Sequence, residues 1–186
     1  VVQETIDALP ADVHRVRVIA EADIDVTGEN CEVLVVPETF DCLAQAKGRA
    51  VEWARRTHPT DREYILYLDE DTIIPELDGI PDSDIVQFRE RPARTGSLLA
   101  YLAEVHRIGF NVEQLAFPYL RIPLYAWGGG IAIRSEVEDR VTWNVNTMVE
   151  DSVFTWRAML NHGASYYLSD VFFRNQAPAS IWSMIN

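Results

Sequence analysis

Apolar positions along this chain fall into two rhythms, and the alternation between them sets out the elements. "HRVRVIAEA" (14–22) alternates polar and apolar residues, then turns apolar, and predicts a strand. "CEVLVVPE" (31–38) is a Val-rich run ending at Pro37, which predicts a strand buried on both faces. Over 41–56, Leu43, Ala46, Ala50, Trp53 and Ala54 share one helical stripe, with Asp41 as the expected N-cap. "HPTD" breaks that helix and "YILYL" (64–68) follows as a third strand. Strand, helix and strand in this order predict right-handed βαβ crossovers and a mainly parallel sheet. In such sheets ligands bind beyond the carboxyl ends of the strands.

The second half continues the pattern less regularly. "IPELDGIPDSD" is turn-rich and "DIVQFRER" predicts a strand. Residues 96–108 read as a helix with Leu98, Leu102 and Val105 inward. Prolines, aromatics and Gly128, Gly129 and Gly130 then lead into a strand, "IAIR". "VEDSVFTWRAMLNHG" predicts a helix with acids in its first turn and Gly163 as its C-cap, and "SYYLSDVFF" closes as a strand. The expected fold is one α/β domain over 1–186.

Composition narrows the function classes. The 186 residues suit one domain, and 48% hydrophobic with 24% charged residues is ordinary for a globular protein. No apolar run approaches the roughly 20 residues that span a bilayer. The start shows neither a basic n-region nor an h-region, and it has no Met, so the chain reads as a piece of something longer. Net charge is −13, from 29 acids and 16 bases, which argues against non-specific binding to nucleic acid or anionic membranes. Lys47 is the single lysine beside 15 arginines. A high-salt cytoplasm and GC-rich coding bias each account for that preference. Cys31 and Cys42 form neither a metal spacing nor a disulfide framework, so reduced structural thiols are expected.

Candidate chemistry begins where "YILYL" runs into Asp69, Glu70 and Asp71. Three adjacent carboxylates repel one another unless a cation joins them. Asp69 and Asp71 are two apart, so an extended backbone would point both side chains one way. Two hard oxygen ligands of that kind suit Mg²⁺ or Mn²⁺ shared with substrate phosphates; a solvated acidic turn is the bland alternative. A phosphatase of the haloacid-dehalogenase type is disfavoured, because no Gly follows the pair and no lysine lies downstream of it. A second acidic pair, Glu150 and Asp151, opens the helix in "MVEDSVFTW", either as a base or as a partner of the helix dipole. His14, His58, His106 and His162 make no metal spacing, and no G-x-S-x-G occurs.

The order "HRVRVIAEADID", "CEVLVVPE", "AKGRAVEWA", "YILYLDEDT", "AWGGGIAIR", "VEDSVFTWRAMLNHGASYYLSD" and "FRNQAPASI" resembles family 2 glycosyltransferases over nearly the whole chain. The likeness is nearest to the egghead-type β-1,4-mannosyltransferase-like branch and more distant to cellulose and hyaluronan synthases. It implies a GT-A-type, Rossmann-like fold, mainly parallel with helices on both faces. It also implies a metal-dependent inverting hexosyltransferase in polysaccharide biosynthesis. Such an enzyme takes a nucleotide-diphosphate sugar such as GDP-mannose or UDP-glucose, and a glycan or lipid-linked acceptor. A non-catalytic nucleotide- or glycan-binding module of the same fold is the alternative.

Under that resemblance Asp151 is the general base, with Glu150 supporting it. Asp71 and Asp69 hold Mn²⁺ or Mg²⁺. Lys47, Asp69, Glu70 and either Asp23 or Asp25 contact the donor, and Trp127, Gly128 and Gly129 face the acceptor. Family members also carry an earlier first strand and a Gln/Arg-rich segment ending in Trp, both of which this sequence is expected to lack. The intact protein is expected at the cytoplasmic face of the cell membrane, attached through segments outside this chain.

Overall fold

The structure is a computed structural model and describes residues 1–10, 13–75, 77–93, 98, 109 and 112–176. Helix α1 (Val2–Asp7) leads into strand β1 (Val16–Ala20), which pairs in parallel with β2 (Cys31–Val35). Helix α2 (Ala46–Thr57) then crosses to β3 (Tyr64–Tyr67). A short β4 (Thr72–Ile73), the long β5 (Ile85–Ala93) and a one-turn helix α3 (Phe117–Leu120) follow. The chain continues through β6 (Ile131–Arg134), α4 (Ser135–Val141), α5 (Glu150–His162) and β7 (Tyr166–Gln176).

The result is a mixed α/β architecture, and it corrects the expectation of one mainly parallel sheet. Strands β1 and β2 form a two-stranded parallel sheet, and the other five run in the order β3-β6-β5-β7-β4. Only β5 and β7 are parallel there; β6 is antiparallel to both β3 and β5, and β4 to β7. Tyr67 at the end of β3 faces Ile131 at the start of β6. The chain therefore enters β6 from the glycine run at the carboxyl end of β3 and must run back beside it.

Two apolar layers enclose the five-stranded sheet. Ile85, Ile131 and Ile133 pack on one face against Val51 of α2, Val137 of α4 and Phe154 of α5. Val86, Phe88, Ala132 and Phe173 form the other face with Trp127, and Leu9 packs against it. Residues of β5 and β6 are fully buried at the centre, as burial on both faces requires. Strand β2 is only half-buried, with Val35 exposed, which corrects the expectation of burial on both faces: in a two-stranded sheet both strands are edges.

The helix starting at Asp41 is also corrected. Residues 41–45 are irregular, Gln45 is the N-cap, and Ala46 has φ +45°. Leu43 is exposed, and its N–H donates to Asn144 Oδ1 at 2.7 Å. Arg49 holds this entry by donating to the carbonyls of Pro37 (2.6 Å) and Phe40 (3.2 Å). Helix 150–162 ends at Gly163 in the left-handed region, φ +66°, as its glycine predicts. The helix expected over 96–108 falls almost wholly outside the described residues.

Candidate active site

Three segments converge at the carboxyl end of β3: the acidic turn after it, the start of α2, and the start of α5. The Thr72 N–H donates to the Asp69 carbonyl at 3.1 Å, so Asp69 to Thr72 form a turn. The expectation of an extended Asp69–Asp71 pair is thereby corrected, and the two-residue spacing alone does not align their carboxylates. Asp69, Glu70, Asp71 and Lys47 nevertheless line one cleft. The Glu70 carbonyl accepts from Thr5 Oγ1 at 2.8 Å, which ties α1 to this turn.

Lys47 joins the two acidic segments. Its ammonium pairs with Asp69 Oδ1 and lies 3.9 Å from Asp151 Oδ2. Gly48 makes that reach available, since a Cβ there would lie 3.3 Å from the Glu150 Cβ, where α2 and α5 cross closely. Burial works against the Lys47 charge, but Asp151 and Asp69 outweigh it and raise its pKa.

Asp151 is the most perturbed carboxylate of the site. Burial raises its pKa from 3.8 to about 7; Lys47 opposes the rise, Glu150 and Asp69 add to it, and a Gly128 N–H bond lowers it. Its side chain is 18% exposed. An ordinary solvated dipole partner at a helix start would be shifted downward, so burial sets this group apart. A carboxylate half-ionised near neutral pH can accept a proton from a hydroxyl and release it again.

The glycine run lies between the two carboxylates, and the reason is space. A Cβ at Gly128 would sit 2.2 Å from Asp151 Oδ2, and one at Gly129 would sit 2.6 Å from Asp69 Oδ2. Neither glycine has positive φ, so close approach rather than backbone conformation requires them. Trp127 before them is 3% exposed and packs with Phe88 and Phe173. It offers no open face on which a sugar could stack.

Two residues that the sequence reading passed over hold this loop. Gln87 is fully buried; its Nε2 donates to the carbonyls of Phe88 (3.0 Å), Trp127 (3.0 Å) and Gly130 (2.8 Å). Its Oε1 accepts the Trp127 N–H at 3.0 Å. Ser152, beside Asp151, accepts the Ala126 N–H at 3.1 Å. An amide at the centre of the apolar run "DIVQF" was the available signal for Gln87, because a buried amide must find partners.

The remaining expected contacts are scattered. Asp23 and Asp25 are exposed in the loop after β1, and of that loop it is Glu21, Ala22 and Ile24 that line the cleft. Among the described residues, no three His, Cys, Asp or Glu side chains form a metal cage. Asp69, which pairs with Lys47, and Asp71 share one turn, and two such oxygen ligands would leave a hard dication to complete its shell with water and phosphate. Among the described residues, no helix is long and apolar enough to cross a membrane. No family model matches this chain, and no curated protein matches it significantly.

Proposed function

We propose that this chain is the catalytic domain of an inverting glycosyltransferase that takes a nucleotide-diphosphate sugar. One observation carries the reading: Asp151, with a pKa of about 7, sits across Lys47 from the acidic turn and against a glycine loop stripped of side chains. In this reading Asp151 takes the proton of an acceptor hydroxyl. The freed oxygen pair forms the new bond to the anomeric carbon, and the bond to the diphosphate breaks with its electrons leaving on the phosphate oxygen. A single displacement of this kind inverts the anomeric configuration.

Lys47 supplies positive charge beside the departing phosphate and keeps Asp69 and Asp151 from repelling one another. Asp71 and Asp69 are the residues that would hold Mn²⁺ or Mg²⁺, and such an ion supplies neutralisation of leaving-group charge when bound. Gly128 and Gly129 let the loop backbone approach both carboxylates, which a side chain at either position would displace. The donor belongs to the GDP-mannose or UDP-glucose class, and the acceptor is a glycan or lipid-linked hydroxyl.

Calorimetric titration of GDP and UDP, with and without Mn²⁺, tests the donor site. Binding should require Mn²⁺ and be lost in Asp71→Ala. Asp151→Asn should keep nucleotide binding yet lose transfer and donor hydrolysis. Metal-independent binding, or full turnover in Asp151→Asn, overturns the reading; binding without any turnover in the wild type identifies a non-catalytic module instead.

A further inference from the structure

Asp69 already holds a cation. The Lys47 ammonium pairs with its Oδ1, and the other oxygen, Oδ2, lies against Gly129, where a Cβ would be 2.6 Å away. A dication that takes Asp69 as a ligand therefore meets an ammonium on the same carboxylate. Charges of +2 and +1 within about 4 Å of one another repel strongly where water is partly excluded. One of the two cations displaces the other.

The backbone beneath Lys47 is fixed on both sides. Ala46 before it takes φ +45°, and Gly48 after it sits where α2 approaches α5, with a Cβ position 3.3 Å from the Glu150 Cβ. Arg49 is tied to the carbonyls of Pro37 and Phe40. Movement is left to the lysine side chain, a flexible stem with rotatable donors at its tip. Asp151 Oδ2 is 3.9 Å from the ammonium, so a swing away from Asp69 keeps a second carboxylate close by.

The residue type suits an exchangeable cation. Arginine fills 15 of the 16 basic positions in the chain, and lysine occurs only here. A guanidinium grips a carboxylate through a planar fork, as Arg55 does on Glu52 from Nε at 3.0 Å and Nη2 at 2.9 Å. An ammonium is a compact point charge, closer in kind to a metal ion, and its hold on one oxygen is more readily given up.

We infer, resting on the glycosyltransferase reading that supplies both the dication and the diphosphate, that Lys47 is an internal cation competing with the dication for Asp69, and that the donor diphosphate ends the competition by taking the ammonium as its own partner. Metal and nucleotide then enter together. The diphosphate draws Lys47 off Asp69 and brings further oxygens to the metal, so each ligand raises the affinity for the other. Lys47 is in this sense a positioning residue: it keeps the acidic turn closed to a metal that arrives alone.

Mn²⁺ binding to the whole chain, read from the electron paramagnetic resonance of the free ion, tests this with two variants. Without nucleotide, Lys47→Met should bind Mn²⁺ at least about tenfold more tightly than wild type, and Lys47→Arg, which keeps the charge, should stay as weak as wild type. With GDP or UDP, the wild-type affinity for Mn²⁺ should rise by at least about tenfold, and that rise should shrink in Lys47→Met. Equal Mn²⁺ affinity in wild type and Lys47→Met overturns the competition, and the donor site still stands if wild type takes Mn²⁺ with nucleotide. Tight binding by Lys47→Arg overturns it as well, because charge is then not the cause. No Mn²⁺ binding by any of the three, even with nucleotide, overturns the glycosyltransferase reading and this inference with it. Should Lys47→Met not fold, wild type decides alone: carbon-13 at the lysine Cε gives one signal, because Lys47 is the single lysine. Mg²⁺ with GDP or UDP should move that signal and Mg²⁺ alone should not. A shift with Mg²⁺ alone, or none under either condition, overturns the inference.

Discussion

Asp151 should make the stability of this protein depend on pH in a way that one substitution removes. Its pKa in the folded chain is about 7 against an ordinary 3.8, raised mainly by burial. A carboxyl raised in this way supports the fold fully below the unfolded value and loses that support as pH climbs through the folded one. At about 1.4 kcal/mol per pH unit, the interval amounts to about 4 kcal/mol. Most of the loss falls between about pH 4 and pH 7, and about 2–3 kcal/mol of it falls between about pH 5 and pH 8. Asp151→Asn keeps the shape and removes the titration. Urea unfolding of both proteins in a chelating buffer, at about pH 5 and about pH 8, gives the comparison. The variant's stability relative to wild type should improve by about 2–3 kcal/mol between those pH values. A difference that stays constant with pH would refute the burial argument, and with it the case for Asp151 as a base poised near neutrality.

Other substitutions test the supports of the site. Gly128→Ala drives a methyl group into the Asp151 carboxylate and should cost about 1–3 kcal/mol in urea unfolding, together with any transfer activity. Gln87→Leu leaves three carbonyls and the Trp127 N–H without their partner, and should cost about 2–4 kcal/mol by the same assay. Glu52 is fully buried beneath Arg55, Arg56 and the Trp143 N–H. Glu52→Leu should therefore lower stability by about 3–5 kcal/mol and leave nucleotide affinity per folded molecule unchanged.

Local sequence settled the elements whose cause is local. The Val-rich and aromatic runs became β1, β2, β3, β5, β6 and β7, and acids followed by a glycine thirteen residues on became α5. It also drew attention to Asp69, as a carboxylate directly after an apolar strand, and to Asp151, as an acid at a helix start that the dipole alone could explain; Lys47, Gly128 and Gly129 were marked only by the resemblance to family 2 glycosyltransferases. Tertiary structure decided the rest. Strand direction depends on where a loop returns, so β6 runs antiparallel to β3 although "IAIR" carries no sign of it. The acidic triplet folds into a turn because the Thr72 N–H finds the Asp69 carbonyl, which spacing does not reveal. Trp127 is covered by the second layer of the core, and Gln87 reaches carbonyls some forty residues away. Residue type fixes which groups can ionise or pack; only distance and burial, set by the whole chain, fix the charge that each one carries.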